Sequence, residues 1–294
     1  MNREQTLPTA REFRRAKEYF ETHIEHASNP NFDFSRGGQA LSGPAVVTEL
    51  ESDARRRTIE KRWTAGGVEV RQVATLYRDL PVVEWTVYVK NISDTASQRV
   101  RLSALNDRFA ASTVVVHAQK GSYCAADDFR PIDLFMRPGD RADLSPIGGR
   151  SSNMTWPYFC IETGTDGLDL AVGWPAQWRA ELAPAPDGAH LRVRQARCRM
   201  VVRPGETMRT PRMALTVSEG GDDRARNLWR RWYLAHVLPR TDGGPPEPKC
   251  FMHLLGAAGM PDFTGATEEN QLHALNETLR RGLHPDVWWI DAGW

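Results

Sequence analysis

Val83-Glu84-Trp85-Thr86-Val87-Tyr88-Val89-Lys90 alternates between apolar side chains and more polar ones. A strand points successive side chains to opposite faces, so Val83, Trp85, Val87 and Val89 share a core face while Glu84, Thr86, Tyr88 and Lys90 share a more polar one. Val68-Glu69-Val70-Arg71 through Leu76-Tyr77-Arg78 reads the same way. Further strand-like segments follow near 98–105, 112–118, 158–163, 167–174, 178–183, 189–203 and 208–217. Turn chemistry separates them: Ala65-Gly66-Gly67, Asn91-Ile92-Ser93-Asp94, Pro138-Gly139-Asp140, Pro186-Asp187-Gly188 and Pro204-Gly205-Glu206. Many strands joined by short polar turns predict a mainly β chain built on a large antiparallel β-sandwich.

The two ends depart from this pattern. Phe13, Ala16, Phe20 and Ile24 recur at helical spacing within 9–27, where His23 and His26 read as solvated. Ala225, Leu228, Trp229, Trp232, Tyr233 and His236 form a helical stripe across Asp223 to Leu238, read as an interdomain packing face. Pro239 and Thr241-Asp242-Gly243-Gly244-Pro245-Pro246 then mark a linker. Next come an apolar strand at Cys250-Phe251-Met252-His253-Leu254-Leu255 and a helix from the N-cap Thr267 to about Arg281, with Leu272, Leu275 and Leu279 as its buried stripe. Gly282 is placed to cap that helix, and a strand over 287–291 follows. Strand, helix and strand with short connections predict a βαβ unit with parallel strands. The expected organisation is a sandwich over 1–221, a linker helix and linker over 222–247, and the start of a barrel over 248–294.

Composition narrows the function. The 294 residues carry 38 lysines plus arginines against 37 acids, so no basic excess points to a nucleic acid. Arg192, Arg194, Arg197, Arg199 and Arg203 read as a solvated strand face. No run approaches the ~20 apolar residues that span a bilayer, so no membrane partner is expected. Met1-Asn2-Arg3-Glu4-Gln5 lacks a signal-peptide apolar core, and Cys124, Cys160, Cys198 and Cys250 show no CxxC spacing. These features set a reducing cytoplasm as the default, with neither disulfides nor a metal site.

Val287-Trp288-Trp289-Ile290-Asp291-Ala292-Gly293-Trp294 reads as a buried parallel strand that delivers an acid and an aromatic ring to a ligand-binding mouth. Such a strand needs neighbours on both sides, so the chain reads as the front part of a larger enzyme. Several segments, in order, are similar to the N-terminal half of glycoside hydrolase family 36, the bacterial-type α-galactosidases, which share a clan with family 27. They are Phe32-Asp33-Phe34-Ser35-Arg36-Gly37-Gly38, Pro81-Val82-Val83-Glu84-Trp85 with Lys90-Asn91, Gly148-Gly149-Arg150-Ser151-Ser152 leading to Pro157-Tyr158-Phe159, Gly173-Trp174-Pro175-Ala176-Gln177-Trp178, Pro204-Gly205-Glu206, Asn227-Leu228-Trp229-Arg230-Arg231, and Ile290-Asp291-Ala292-Gly293-Trp294.

The resemblance implies a supersandwich followed by the first βαβ unit of a truncated (β/α)8 barrel. It implies retaining hydrolysis of terminal α-linked sugars without a cofactor, on an oligosaccharide or glycoside substrate. Both catalytic carboxylates would come from later barrel strands, so none is expected in this chain and the fragment itself is expected to be inactive. Asp291 is the expected substrate-binding carboxylate and Trp294 the expected stacking ring. Trp174 and Trp178 flank a loop for which packing is the favoured reading; the resemblance implies as the alternative a contribution to a sugar site across a homo-oligomer interface, as in some of the family's assemblies. The family has two adjacent aspartates where this chain has Asp291-Ala292, which places galactose specificity in question. A rival reading makes the sandwich a non-catalytic carbohydrate-binding or assembly module, which would bind sugar through residues 30–220 alone.

Overall fold

The alternation over 82–91 places one set of side chains in the core and leaves the other to be covered separately, and the rest of the sandwich is arranged around that division. A computed structural model describes residues 7–164, 166–253 and 266–290. The chain divides into two compact units, Met1–His236 and Val237–Trp294.

The first unit is organised around one long antiparallel sheet. Its strands lie in the order Pro131–Met136, Val114–Gln119, Tyr158–Glu162, Gly167–Gly173, Arg212–Ser218, Val82–Asn91, Val68–Tyr77, Arg56–Ala65 and Val46–Ser52. A tenth strand, Thr207–Arg209, also pairs with Val82–Asn91. A four-stranded sheet, in the order Ala142–Leu144, Trp178–Ala185, Gly188–Gln195 and Leu105–Phe109, packs on the inner face. Val116, Phe159, Ile161, Leu170 and Leu215 of the long sheet meet Leu105, Trp178, Leu191 and Val193 of the smaller one. A second core gathers Trp63, Val70, Val87 and Val89 with Phe34, Val100 and Leu102, which belong to a three-stranded sheet of Phe34–Arg36, Gln39–Ala40 and Val100–Leu102. Trp85 is buried with its indole Nε1 donating to the Ala104 carbonyl at 2.7 Å.

The N-terminal helix, Ala10–Tyr19, continues as a π-helical turn over Phe20–Glu25. Ala16, Tyr19, Phe20 and Ile24 enter the main core. Lys61 closes the turn by donating from Nζ to the carbonyls of Ile24 (2.6 Å) and Ala27 (3.0 Å), a cation placed where a helix exposes unpaired oxygens. His23 is not simply solvated: it stacks on Tyr19 and shares a 3.0 Å hydrogen bond with Asp107. His26 stays exposed.

The second helix, Asp222–Trp232, lies on the outer face of the long sheet. Its aromatic stripe therefore packs on the sandwich itself: Trp229 against Tyr158 at 4.9 Å and Trp232 against Tyr77 at 5.8 Å between ring centroids. Beneath this helix the outward positions of three adjacent strands are titratable. His117 and Asp169 both stand opposite Cys160 in register. Asp169 is fully buried and accepts a 2.8 Å hydrogen bond from Tyr158 Oη through one oxygen, while its other oxygen has no hydrogen-bond partner among the described residues. Burial pushes its carboxyl from an ordinary 3.8 up to about 7, the Tyr158 hydroxyl opposing and Asp222 adding to the rise. Burial disfavours a charged His117, but Glu162 at 3.1 Å and Asp133 at 2.7 Å outweigh it and raise the ring's pKa.

One free edge of the long sheet is protected by charge and irregularity. Val46–Ser52 is exposed along its whole length, yet its register shifts at a bulge between Glu49 and Glu51. Those two acids pair with Arg57 (2.7 Å) and Arg56 (2.9 Å) of the neighbouring strand. A bulged, charged edge is a poor template for another chain.

The two helices are tied together by Glu12. Thr9 and Glu12 form a capping box, with Thr9 N–H donating to Glu12 Oε2 at 2.8 Å and Glu12 N–H to Thr9 Oγ1 at 3.2 Å. The buried Glu12 carboxylate also accepts from Glu219 N–H (2.8 Å) and from Arg224 Nε (2.7 Å) and Nη2 (2.8 Å). Glu12→Ala leaves that guanidinium without its buried partner and should cost about 3–5 kcal/mol in urea unfolding. A loss below about 1 kcal/mol would contradict the assignment.

A second prediction concerns pH. Between the ordinary carboxyl value and about 7, folded Asp169 holds a proton that the unfolded chain has released. Stability therefore falls as pH rises through that window. His117 acts in the same direction: its raised pKa gives stability that is present below the unfolded value and lost as pH rises through the folded one. Asp169→Asn should remove most of the slope between about pH 4 and 7, on the order of 1 kcal/mol or more. A melting-temperature profile parallel to wild type would refute this.

Candidate functional site

The second unit contains a parallel strand pair. Phe251–His253 pairs with Val287–Trp289 in the register Phe251↔Val287, Met252↔Trp288 and His253↔Trp289. The helix Glu268–Arg280 connects them, as the βαβ reading requires. Thr267 caps its start, with Oγ1 accepting from Asn270 N–H at 3.3 Å. Glu268 and Glu269 occupy the first turn and Arg280 the last, complementing the helix dipole. Gly282, with φ of +75°, makes the left-handed exit that a side chain would disfavour. Asp286 sets the entry to both strands: its Oδ2 accepts from Cys250 N–H at 2.8 Å, and its own N–H donates to the Cys250 carbonyl at 3.0 Å.

Alternation along the second strand separates its tryptophans. Trp288 faces the helix, its indole Nε1 donating to Gln271 Oε1 at 2.8 Å. It lines a 380 Å³ hollow with Leu272, Leu275 and Ile290. Trp289 lies on the opposite face, edge-on to Phe251 at 6.2 Å, and is half exposed. The leucine stripe differs from expectation. Leu272 is 51% and Leu279 42% exposed, because two strands of three residues cover too little of the helix to bury it. Asp291 and Trp294, the expected sugar-contacting residues, lie outside the described residues.

Trp174 and Trp178 belong to the sandwich, and their environments differ. Trp178 is fully buried, packs near Phe159, and donates from Nε1 to the Ser151 carbonyl at 2.8 Å. Its ring has no face toward solvent. Trp174 is half-buried against the core, with the Arg209 guanidinium 5.1 Å from its ring centroid. Gln177 braces the loop by donating to the Pro146 carbonyl at 2.8 Å.

One group carries chemistry that the sequence reading did not single out. The layer of His117, Cys160, Asp169 and Tyr158 has strongly shifted acids, but Asp169 and Cys160 are sealed under the second helix, so it reads as structural. The nearest warning in the sequence was an aspartate between two leucines, Leu168-Asp169-Leu170. Asp127 and Asp128 instead shape a turn: Asp128 accepts from Tyr123 N–H (2.9 Å), Ala125 N–H (3.2 Å) and Ser122 Oγ (3.0 Å), and Asp127 pairs with Lys120. Among the described residues, no group of three or more His, Cys, Asp or Glu side chains is arranged to hold a metal ion. No described helix is long and apolar enough to cross a membrane.

No protein-family model and no curated protein matches the chain. Solved structures do. The α-galactosidase from Lactobacillus brevis superposes with a TM-score of 0.68 at 11% identity, covering 87% of this chain and 37% of that one. The galactosidase domain of the α-galactosidase–sucrose kinase AgaSK gives 0.69 at 14%, covering 91% and 40%. The GH36 α-galactosidase AgaA from Geobacillus stearothermophilus gives 0.67 at 13%, covering 88% and 39%. The chain thus spans about two fifths of the length of the α-galactosidases it matches. Over that length it has the fold of glycoside hydrolase family 36 α-galactosidases, the family its sequence motifs resemble.

Proposed function

We propose that this chain is the front part of a retaining α-glycosidase of the α-galactosidase type. The observation that carries the reading is the parallel pair Phe251–His253 and Val287–Trp289 with exposed apolar side chains on both faces. Parallel strands occur almost only where both faces are covered. Phe251 and Trp289 on the strands, Ile290 just beyond the second, and Leu272 and Leu279 on the helix await such cover. Further strand–helix units of a (β/α)8 barrel would supply it, and the likeness to α-galactosidases supports that continuation.

In this reading the C-terminal ends of the strands form the mouth of the barrel, where the fold places its ligands. Asp291 accepts hydrogen bonds from vicinal hydroxyls of the terminal sugar, and Trp294 stacks on its apolar face. Later strands contribute the nucleophile and the acid/base, two carboxylates about 5–5.5 Å apart. Neighbouring α-galactosidase structures were solved with raffinose and stachyose, so α-linked oligosaccharides are the substrates to try first. The chemistry needs no cofactor.

The test is hydrolysis of an aryl α-galactoside and of raffinose by the 294-residue chain and by the product of the complete reading frame. The long product should hydrolyse at least one α-glycoside and the 294-residue chain none. Asp291→Asn in the long product should lower kcat/KM by about tenfold or more, the order expected when a charged hydrogen-bond partner of the sugar is removed. Activity in the short chain, or full activity in the Asp291 variant, would overturn the assignment. Sugar binding by residues 30–220 alone would favour the rival binding-module reading.

A further inference from the structure

The expected strand over 189–203 ends at Gln195, and the residues after it turn to build a basic cavity. Its volume is 580 Å³, within the range of small-molecule sites. Arg101, Arg192, Arg194, Arg197 and Arg199 line it with Leu102, Ala196 and Cys198, and no acidic side chain among the described residues lines it. Two arginines are partly neutralised from outside the cavity: Arg192 by Asp33 at 2.8 Å and Arg194 by Glu181 at 3.2 Å. Arg101, Arg197 and Arg199 make no ion pair among the described residues.

The arginines are fixed by backbone rather than gathered by chance. Val100 N–H donates to the Met200 carbonyl at 2.7 Å, and Met200 N–H to the Val100 carbonyl at 3.2 Å. Those bonds staple the segment bearing Arg197 and Arg199 to the strand bearing Arg101. Ala196 N–H donates to the Gln177 carbonyl at 3.1 Å, and Arg194 Nη1 folds back to the Ala196 carbonyl at 2.8 Å.

Five arginines around one concavity, three of them without an ion pair among the described residues, focus a positive field that draws anions into it. The chain's net charge of +1 shows that the cluster is not a by-product of general basicity. Guanidinium forks match phosphate oxygens in pairs, and a concave site concentrates the field. We propose that this cavity binds a phosphomonoester, a small molecule carrying a phosphate dianion, on Arg101, Arg197 and Arg199. The site lies wholly within the sandwich unit and does not rest on the glycosidase reading.

Calorimetric titration of the 294-residue chain tests it, with glucose 6-phosphate, inorganic phosphate and glucose as probes at low ionic strength. A phosphate-bearing probe should bind saturably and glucose should not. Arg197→Ala/Arg199→Ala should weaken binding by at least about tenfold while leaving the melting temperature unchanged, since both side chains are exposed. Arg150→Ala, an exposed arginine that does not line the cavity, should bind as wild type does. Equal affinity for the two phosphates would identify the free ion as sufficient; tighter binding of the sugar phosphate would assign the organic moiety to the remaining volume. Absence of saturable binding by either phosphate, or unchanged affinity in the double variant, would overturn the proposal.

Discussion

A ten-stranded sheet has two faces, and each must be covered. That constraint accounts for most of the first unit. The inner face takes the four-stranded sheet, the three-stranded sheet and the N-terminal helix, which bury Trp85, Phe159, Trp178 and Leu215 among them. The outer face is more polar and is covered in part by one amphipathic helix. Because a strand alternates sides, the residues that fall under that helix are the polar partners of the core set: His117, Cys160, Asp169 and Thr216. Burying them without full hydrogen bonding is costly, and Asp169 reduces the cost by holding its proton to higher pH.

Most of the sandwich was legible because period-two patterns are strongest where a strand has one dry face and one wetter face. The strand bearing Trp85 and its hairpin partner were readable for this reason. The edge strand Val46–Ser52 was not singled out; exposed throughout, it has no dry face to impose a pattern. The misreading of 196–203 is more instructive. Arg-Val-Arg alternation runs on into Arg197 and Arg199, yet the chain leaves the four-stranded sheet after Gln195 and bridges to Val100 instead. Alternation is a property of local sequence, whereas the partner that continues or ends a ladder is chosen at long range.

The candidate sites follow the same division. The βαβ unit was readable because Thr267, the acidic first turn and Gly282 are local signals. His23 with Asp107, and Arg101 with Arg197, are joined only by folding, across separations that no short pattern reports. The tryptophans at 174 and 178 show a further limit. Spacing identified the loop, but only packing distinguishes an enclosed Trp178 from a half-buried Trp174 that carries Arg209.

The bonds from Glu12 to Arg224 have a kinetic consequence. They join residues 212 positions apart, so the clamp cannot close until nearly the whole sandwich has been synthesised. At about 5–20 residues per second, translation delivers Glu12 on the order of ten seconds or more before its partner. The first helix must wait beside a growing sheet while the entropy of a very large loop opposes closure. Its capping box gives Glu12 a local hydrogen-bond partner in Thr9 during that interval. The clamp thus closes late in synthesis, fastening the N-terminal helix once the second helix has arrived.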